Sequence, residues 1–485
     1  MFQLRTHLAI CLLALVPAIA SEKPNIVFVF CDDLGYGDVQ VLNPEHGLIK
    51  TPHADSLAAQ GMIFTDAHSG SSVCTPTRYG LLTGRYSWRT KLQKGVATGG
   101  KPNLIAQDRP TVASFLKEQG YDTAIIGKWH LNFQYQDAET GEILPEKLKG
   151  KAPVGSKILD GPLTRGFDYF HGVHHARSME YLIENDTVIL VEDTVKHLPR
   201  LTRKSVEYIE QRAASPDEPF FLYIPLGSPH TPIVPAPEWQ GKSGLGNYAD
   251  FVMQTDHALG EVKAALERTG LAKNTLILFS SDNGTSAPGA KSIKGTSHKW
   301  SAHYRGSKAD IWEGGHRVPF IASWPGVIEP GSISDQTICL VDFFATTSDI
   351  LSTPLPAQSA EDSVSFLPAL KGHAIESTRK GIVHHSVSGH FGYRMGDWKL
   401  ILARGSGGWS DPREKKAKKN PEAQLYNLAE DPSETTNLYA TNPEVAQKLL
   451  AQLEQDVMSG RSTDGPPSPN DVGENGINLW KSGRD

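Results

Sequence analysis

Four apolar stretches of strand length in this chain each run straight into residues that can do chemistry. Asn25–Phe30 leads within one residue to Asp32-Asp33, and Thr123–Ile126 leads to Lys128-Trp129-His130. Phe220–Ile224 leads to Ser228-Pro229-His230, and Thr275–Ser280 to Asp282-Asn283. Three carboxylates and an amide oxygen form a hard, all-oxygen donor set, which suits calcium or magnesium rather than zinc. Calcium accepts more ligands and looser geometry. Lys128, with Arg78 and Lys308 elsewhere in the chain, has no place around a cation alone. A metal joined by several cationic side chains describes a site for an anion such as sulfate or phosphate. Taken singly, each group has a blander reading: Asp32-Asp33 and Asp282-Asn283-Gly284 as turns, a lone His130 or His230 as a structural histidine, Lys128 as a surface lysine. Their recurrence at four strand ends favours one shared site.

The runs themselves predict what positions these groups. Their hydrophobicity is continuous rather than alternating, as in strands buried on both faces of a parallel sheet. Helical patterns fall between them at Thr111–Gln119, Leu201–Ala213 and Asn247–Arg268. This alternation predicts a doubly wound α/β fold, in which ligands sit beyond the carboxyl ends of the strands. Residues 71–85 add a further element. Thr75 is a candidate N-cap and Pro76 a good first helical residue, which sets Cys74 just before a helix N-terminus. That end of the helix dipole favours anions and activates a side chain placed there. The alternative for Cys74 is a buried or disulfide-bonded thiol.

The chain has 485 residues, more than a single core usually fills, so one large domain and a smaller one are expected. Hydrophobic residues make up 39%, too many for a disordered chain, and the formal net charge of −6 argues against nucleic acid as the main partner. Met1–Ala20 reads as a secretory signal: Arg5, the apolar stretch Leu8–Pro17, then Ala18-Ile19-Ala20 as cleavage site. The mature protein is then exported, periplasmic or secreted. No other stretch is long and apolar enough for stable membrane insertion. Cys11 leaves with the signal, and Cys31, Cys74 and Cys339 remain, an odd number in an oxidising compartment. Past about Ser377 the pattern changes to short strands at Gly381–Ser386, Phe391–Met395 and Trp398–Leu402, then an amphipathic helix at Asn442–Met458 with Val445, Leu449, Leu450 and Leu453 on its apolar face. His384, His385, His390 and Tyr393 of this part either reach the pocket or serve the strands. The basic run 413–419 reads as a solvated loop. The tail from Ser459 reads as extended on the surface or loosely ordered.

Cys74-Thr75-Pro76-Thr77-Arg78 followed by Leu82-Thr83-Gly84-Arg85 resembles the signature of the formylglycine-dependent (type I) sulfatases of the alkaline-phosphatase-like superfamily. The resemblance covers nearly the whole mature chain. It includes Asp32-Asp33-Leu34-Gly35, Gly127-Lys128-Trp129-His130-Leu131, Ser228-Pro229-His230, Asp282-Asn283-Gly284, Lys308 and Glu313-Gly314-Gly315-His316-Arg317. It continues through Gly396-Asp397-Trp398-Lys399-Leu400 and Leu425-Tyr426-Asn427-Leu428. It implies an α/β fold with a large mixed, mainly parallel sheet sandwiched by helices, as a catalytic domain over 21–376. A smaller α+β subdomain with a four-stranded antiparallel sheet and a polar tail would occupy 377–485.

By the same resemblance, a maturation enzyme oxidises Cys74 during export to formylglycine, an aldehyde carried as its hydrate. One hydroxyl attacks sulfur, and the second later loses its proton so that sulfate is expelled. One calcium ion per chain would be held by Asp32, Asp33, Asp282, Asn283 and an oxygen of modified Cys74, with Asp282 accepting the attacking hydroxyl's proton. Arg78 and Lys128 would hold the diol and sulfate oxygens, His230 and Lys308 would serve the leaving alcohol, and His130 would assist collapse of the sulfated intermediate. The stretch His174-His175-Ala176-Arg177-Ser178, together with His298-Lys299-Trp300 and His303, is expected to form the substrate rim. Two departures stand out: Cys31 replaces a small residue before the Asp pair, and no serine after Gly166-Phe167 is assigned to the diol. The expected substrate is a sulfated carbohydrate, a polysaccharide or glycosaminoglycan fragment. The alternatives are a phosphodiesterase or phosphonate monoester hydrolase of the same superfamily, and a non-catalytic sulfated-glycan binder.

Overall fold

The computed structural model describes residues 23–293, 295–473 and 476–481; the expected signal segment Met1–Ala20 lies outside the described residues. The four apolar runs become the strands Asn25–Cys31, Asp122–Lys128, Phe220–Pro225 and Thr275–Ser281. Their continuous hydrophobicity has a direct cause. Ile26, Phe28 and Phe30 enter one core while Val27, Val29 and Cys31 enter another on the opposite face, and the neighbouring strands alternate in the same way. Helices His197–Arg212 and Asn247–Arg268 cover the second face, through Leu201, Ile209, Leu259 and Val262. Helix Cys74–Thr83, with Tyr79, Leu81 and Leu82, covers the first.

The large sheet has twelve strands among the described residues. Its centre is parallel: Thr275–Ser281, Asn25–Cys31, Phe220–Pro225, Asp122–Lys128 and Tyr169–Val173 lie side by side. Antiparallel strands flank it on both sides, beginning with Phe320–Ser323 and Tyr181–Glu184. In the central register Cys31 lies opposite Ser281, so Asp32 and Asp282 leave the sheet at the same level. The pairing of Gly127 with Gly172 holds Lys128's strand unusually close to its neighbour: a Cβ on Gly172 would lie 1.8 Å from the Gly127 carbonyl oxygen. No side chain fits there.

The C-terminal sheet runs Ile382–His385, Phe391–Met395, Trp398–Ile401 and Gln424–Asn427, all antiparallel. Helix Pro443–Met458 packs on it through Ala446, Leu449, Leu453 and Val457, while Val445 and Leu450 of the expected face are only half-buried. Tyr86, Trp88, Cys339 and Val341 share this core, so the smaller part is continuous with the larger one. Of the two expectations for the tail, its described residues follow the first and lie extended against the molecule. The Pro469 carbonyl accepts from Arg85 at 2.9 Å, the Asn470 amide oxygen accepts from Arg89 at 3.2 Å, and the Asp471 backbone N–H donates to the Arg89 carbonyl at 2.9 Å. In the basic run the charged side chains are mostly exposed around a buried Ala417. Cys31, Cys74 and Cys339 are buried free thiols.

Candidate functional site

The four strand ends converge on Cys74. Its Sγ lies 3.4 Å from Asp32 Oδ1 and 3.5 Å from Lys308 Nζ. Lys128 Nζ donates to Asp32 Oδ2 at 2.5 Å, and Lys308 Nζ donates to Asp33 Oδ1 at 2.5 Å. Arg78 donates to Asp282 Oδ2 from both Nε (3.0 Å) and a terminal nitrogen (2.7 Å), with its guanidinium 5.3 Å from the Phe30 ring centre. Asn283 Nδ2 donates to Asp33 Oδ1 at 2.7 Å. Adjacent residues on a strand point to opposite faces. Asp33 escapes that by turning into the left-handed region at φ +65°, which brings both carboxylates of the pair to one point.

Helix Cys74–Thr83 begins two residues earlier than expected, with Val73 at the N-cap. Thr75 is therefore not the cap. Its hydroxyl instead donates to the His130 carbonyl and accepts from the Ala97 N–H, both at 3.0 Å, tying the first turn to two loops. The helix end does not activate Cys74 as a thiol either. Burial, then the Asp282 carboxylate, push the thiol far above its ordinary range.

Two atoms of the expected ligand set, Asp33 Oδ2 and Asn283 Oδ1, are buried with no hydrogen-bond partner among the described residues. An unpaired buried acceptor costs about 1–3 kcal/mol, so these oxygens fit a cation as their partner. One donor atom from each of Asp32, Asp33, Cys74 and His230 lies within 4.8 Å of the others. His230 Nδ1 donates to the Thr231 carbonyl at 2.5 Å, which leaves Nε2 unprotonated in the neutral ring and 3.6 Å from Asp33 Oδ2. Two acceptors facing each other again call for a proton or cation between them. Burial opposes the charge on Asp32, but Lys128, then His230 and Arg78, hold its carboxyl well below the usual range. Burial and then Asp32 push Asp282 up to about 7, against the pull of Arg78. His130 Nε2 donates to the Ala97 carbonyl at 3.0 Å, and burial, then Lys128, keep this ring neutral.

The expected substrate rim is only partly placed at a surface. Arg177 is exposed. His175 is buried, accepting from the Arg177 N–H at Nδ1 (3.0 Å) and donating to the Thr98 carbonyl from Nε2 (3.3 Å). His174 is fully buried edge-on to Phe133, with ring centres 4.5 Å apart. His298 is also buried: Nε2 donates to Asp38 Oδ1 at 2.9 Å and Nδ1 accepts from the Leu48 N–H at 3.0 Å. His174, whose two ring nitrogens have no hydrogen-bond partner among the described residues, and His298 are thus buried rather than at the surface, although His298 borders the cleft lined by Lys299 and Trp300. The C-terminal subdomain reaches the site through its backbone. The His385 carbonyl accepts from the Ser72 N–H (2.9 Å) and the Ser71 hydroxyl (2.8 Å), while Tyr393 donates to Asp456 at 3.0 Å.

Sequence reasoning missed two supports. Asp38 Oδ2 accepts from Tyr248, Thr285 and the Gly35 N–H, bracing the turn after Asp33. The other is a buried network joining the two parts of the molecule. Asp66 accepts from His68 Nε2 (2.7 Å), and His68 Nδ1 meets His316 Nδ1 at 3.1 Å. His316 Nε2 accepts from Lys399 (2.9 Å), which also donates to Glu313 (2.9 Å) and Glu434 (2.8 Å). The His68, Glu313, His316 and His384 donor atoms cluster as a metal site would. The Lys399 ammonium already fills that role, and the His316 and His384 rings are stacked 3.6 Å apart, so their in-plane lone pairs cannot meet at one ion.

Residues 24–353 match the family model described as Sulfatase, and residues 303–462 match that described as N-sulphoglucosamine sulphohydrolase, C-terminal. The chain belongs to the sulfatase family. It is 31% identical to the N-acetylgalactosamine-6-O-sulfatase of Bacteroides thetaiotaomicron over 90% of this chain and 93% of that protein. It is 30% identical to human arylsulfatase A, over 93% and 92% of the two chains. A Bacteroides thetaiotaomicron structure from work on glycosaminoglycan metabolism superposes with a TM-score of 0.78 at 29% identity, over 90% of this chain and 99% of the other. This sulfatase is a sulfuric ester hydrolase with the alkaline-phosphatase-like fold. Among its described residues no helix is long and apolar enough to cross a membrane.

Proposed function

We propose that this sulfatase is exported and hydrolyses sulfate esters of a sulfated carbohydrate, a polysaccharide or glycosaminoglycan fragment, using formylglycine made from Cys74 and one calcium ion. The observation that carries the reading is the buried ring of charge around Cys74. Asp32, Asp33 and Asp282 are matched there by Arg78, Lys128 and Lys308, all fully or nearly fully buried. Three carboxylates against three cations leave no net charge, so a dication held by Asp32, Asp33, Asp282 and Asn283 gives a positive pocket fitted to a sulfate group. Calcium supplies that charge and makes an attacking hydroxyl more acidic. A hydrated aldehyde at residue 74 supplies both the attacking hydroxyl and the one whose deprotonation frees sulfate. The chain's own residues do the rest. Arg78 and Lys128 hold anionic oxygens in a dry, fixed field, where such charges stabilise a transition state best. Lys308 and His230 would serve the leaving alcohol, a role supported for His230 by its partly open position, with 18% of its side chain exposed. Neutral His130, its Nδ1 unpaired, is able to accept a proton. The carbohydrate substrate is supported by the name of the Bacteroides relative.

Mass analysis of the peptide containing residue 74, after co-expression with a maturation enzyme, is expected to show an aldehyde in place of the thiol. An unmodified thiol in fully active protein refutes the nucleophile. Release of free sulfate from a panel of sulfated oligosaccharides tests the substrate class, and a phosphodiester turned over far faster than any sulfate ester refutes it.

A further inference from the structure

Outside the charged centre lies a cleft of about 710 Å³ between residues 295–307 and residues 410–411. This is within the ordinary range for a small-molecule site. Its walls carry Trp300, Tyr304 and Trp312, with Lys299 exposed at the edge. Arg305 stacks its guanidinium 3.7 Å from the Trp312 ring centre and donates to the Glu434 carbonyl at 2.7 Å, so it is held in place. The acid on the wall, Asp411, is paired with Lys416 at 3.0 Å, which leaves the cleft's charge positive. Arg305 already covers Trp312 and Arg317 covers Tyr304, so the half-buried Trp300 is the aromatic face left to a ligand. With Lys299 and Arg305 beside it, it suits a sugar ring that bears an anionic group: the ring's C–H face lies on the indole and the anion meets the cations.

The cleft is wired to the centre. Buried Asp310 accepts from the Ser307 N–H (3.0 Å), the Trp409 N–H (2.9 Å) and the Ser410 N–H (3.0 Å), so one carboxylate joins both walls. Ser307 also accepts from Trp300 Nε1 at 3.2 Å and is followed directly by Lys308. One Cα step of about 3.8 Å, an extended lysine side chain of about 6 Å and the 3.5 Å from Lys308 Nζ to Cys74 Sγ put this wall no more than about 13 Å from Cys74, room for the sulfated sugar and its neighbour.

We propose that this cleft is a saccharide subsite that holds an anionic sugar unit of the substrate chain next to the sulfated one. The proposal rests on the carbohydrate-sulfatase reading above. It makes the enzyme selective for oligosaccharides over isolated sulfated sugars, and it gives Lys299 and Arg305 a role in substrate recognition.

The test uses the full-length, matured enzyme and whichever chondroitin-, heparan- or carrageenan-type tetrasaccharide it desulfates fastest. Ser297→Trp places a bulky ring into the cleft from an exposed position. It is expected to raise KM for the tetrasaccharide about tenfold or more, with kcat little changed and turnover of an aryl sulfate unaffected. Lys299→Ala is expected to raise the same KM several-fold and to weaken its dependence on salt. Unchanged tetrasaccharide KM in both variants overturns the proposal. So does a loss in Ser297→Trp that extends equally to the aryl sulfate, which would mark a structural effect. Wild type that desulfates aryl sulfate but no saccharide brings down the carbohydrate reading and the subsite with it, and that outcome is visible before any variant is made.

Discussion

Replacing Lys399 with Met tests how the two parts of the molecule are held together. The Lys399 side chain is fully buried, and its nitrogen serves Glu313, Glu434 and His316 within 2.8–2.9 Å. Methionine keeps the stem and removes the charge. Glu313 retains Arg317 at 2.9 Å, but the Glu434 carboxylate is left facing Glu313 with only the Glu313 N–H as a donor. Removing one partner of a buried ion pair costs about 3–5 kcal/mol. At about 2.1 cal/mol/K per residue, a chain of this length has an unfolding entropy near 1 kcal/mol/K, so the midpoint should fall by about 3–5 °C. The loss should also depend on pH. Burial, with Glu313 adding to it and Lys399 opposing, already pushes Glu434 up to about 7, above its unfolded value of 4.5. An acid whose pKa is raised by folding takes up a proton in the folded state, so its stability contribution falls as pH rises from 4.5 through 7. Without Lys399 that pKa rises further. The Tm deficit should therefore be small at pH 5 and full at pH 8. Calorimetry at both pH values measures it, and the Lys399→Met/Glu434→Gln double variant should regain much of the loss at pH 8. A Lys399→Met protein as stable as wild type at pH 8, or a deficit that does not change with pH, refutes the reasoning.

Further outcomes are expected from the site and the sheet. Cys74→Ala should release no sulfate while melting normally, seen by ion chromatography beside calorimetry. Chelation should abolish activity and lower Tm; calcium at 100 times its Kd should restore about 2.7 kcal/mol of stability, and restoration by zinc in preference to calcium would contradict the oxygen donor set. Gly172→Ala forces a methyl into the Gly127 carbonyl and should cost about 3 kcal/mol or more, read as a lower denaturation midpoint or loss of soluble protein. His298→Ala should lower stability by about 1–3 kcal/mol by stranding Asp38 and the Leu48 N–H, and a selective rise in KM with unchanged melting would return this histidine to the substrate rim.

The central strands and long helices were legible because each strand feeds two cores at once, which leaves an uninterrupted apolar signature. Asn247–Arg268 was readable to the residue. Strands such as Met62–Phe64 and Phe320–Ser323 were not, since three or four residues carry too little pattern. The charged centre was legible for a different reason: its groups follow strand ends that share one rim. Of the histidines expected at the rim, His174 and His298 are buried and His303 is exposed, a difference the sequence does not carry because it gives residue type but not depth. Glu313, His316 and Lys399 stood in recognisable motifs, but nothing in the sequence showed that they meet in one network. Asp66, His68, Glu313, His316, Lys399 and Glu434 are drawn together from across the fold by tertiary packing.

The closure of residues 74–85 has a consequence for the order of events in the protein's life. Every residue of that stretch is buried, a Cβ on Gly84 would lie against Ala360, and Ser72 before it is bonded to the C-terminal sheet. The carbonyl of Pro469 and the backbone of Asp471 then fasten over Arg85 and Arg89. If residue 74 is converted to formylglycine as proposed, the enzyme that oxidises it would find the segment open only on a nascent or unfolded chain. Residues 469–471 are among those that close over it, so under the proposed maturation a chain that folds before it is oxidised would keep an unmodified thiol.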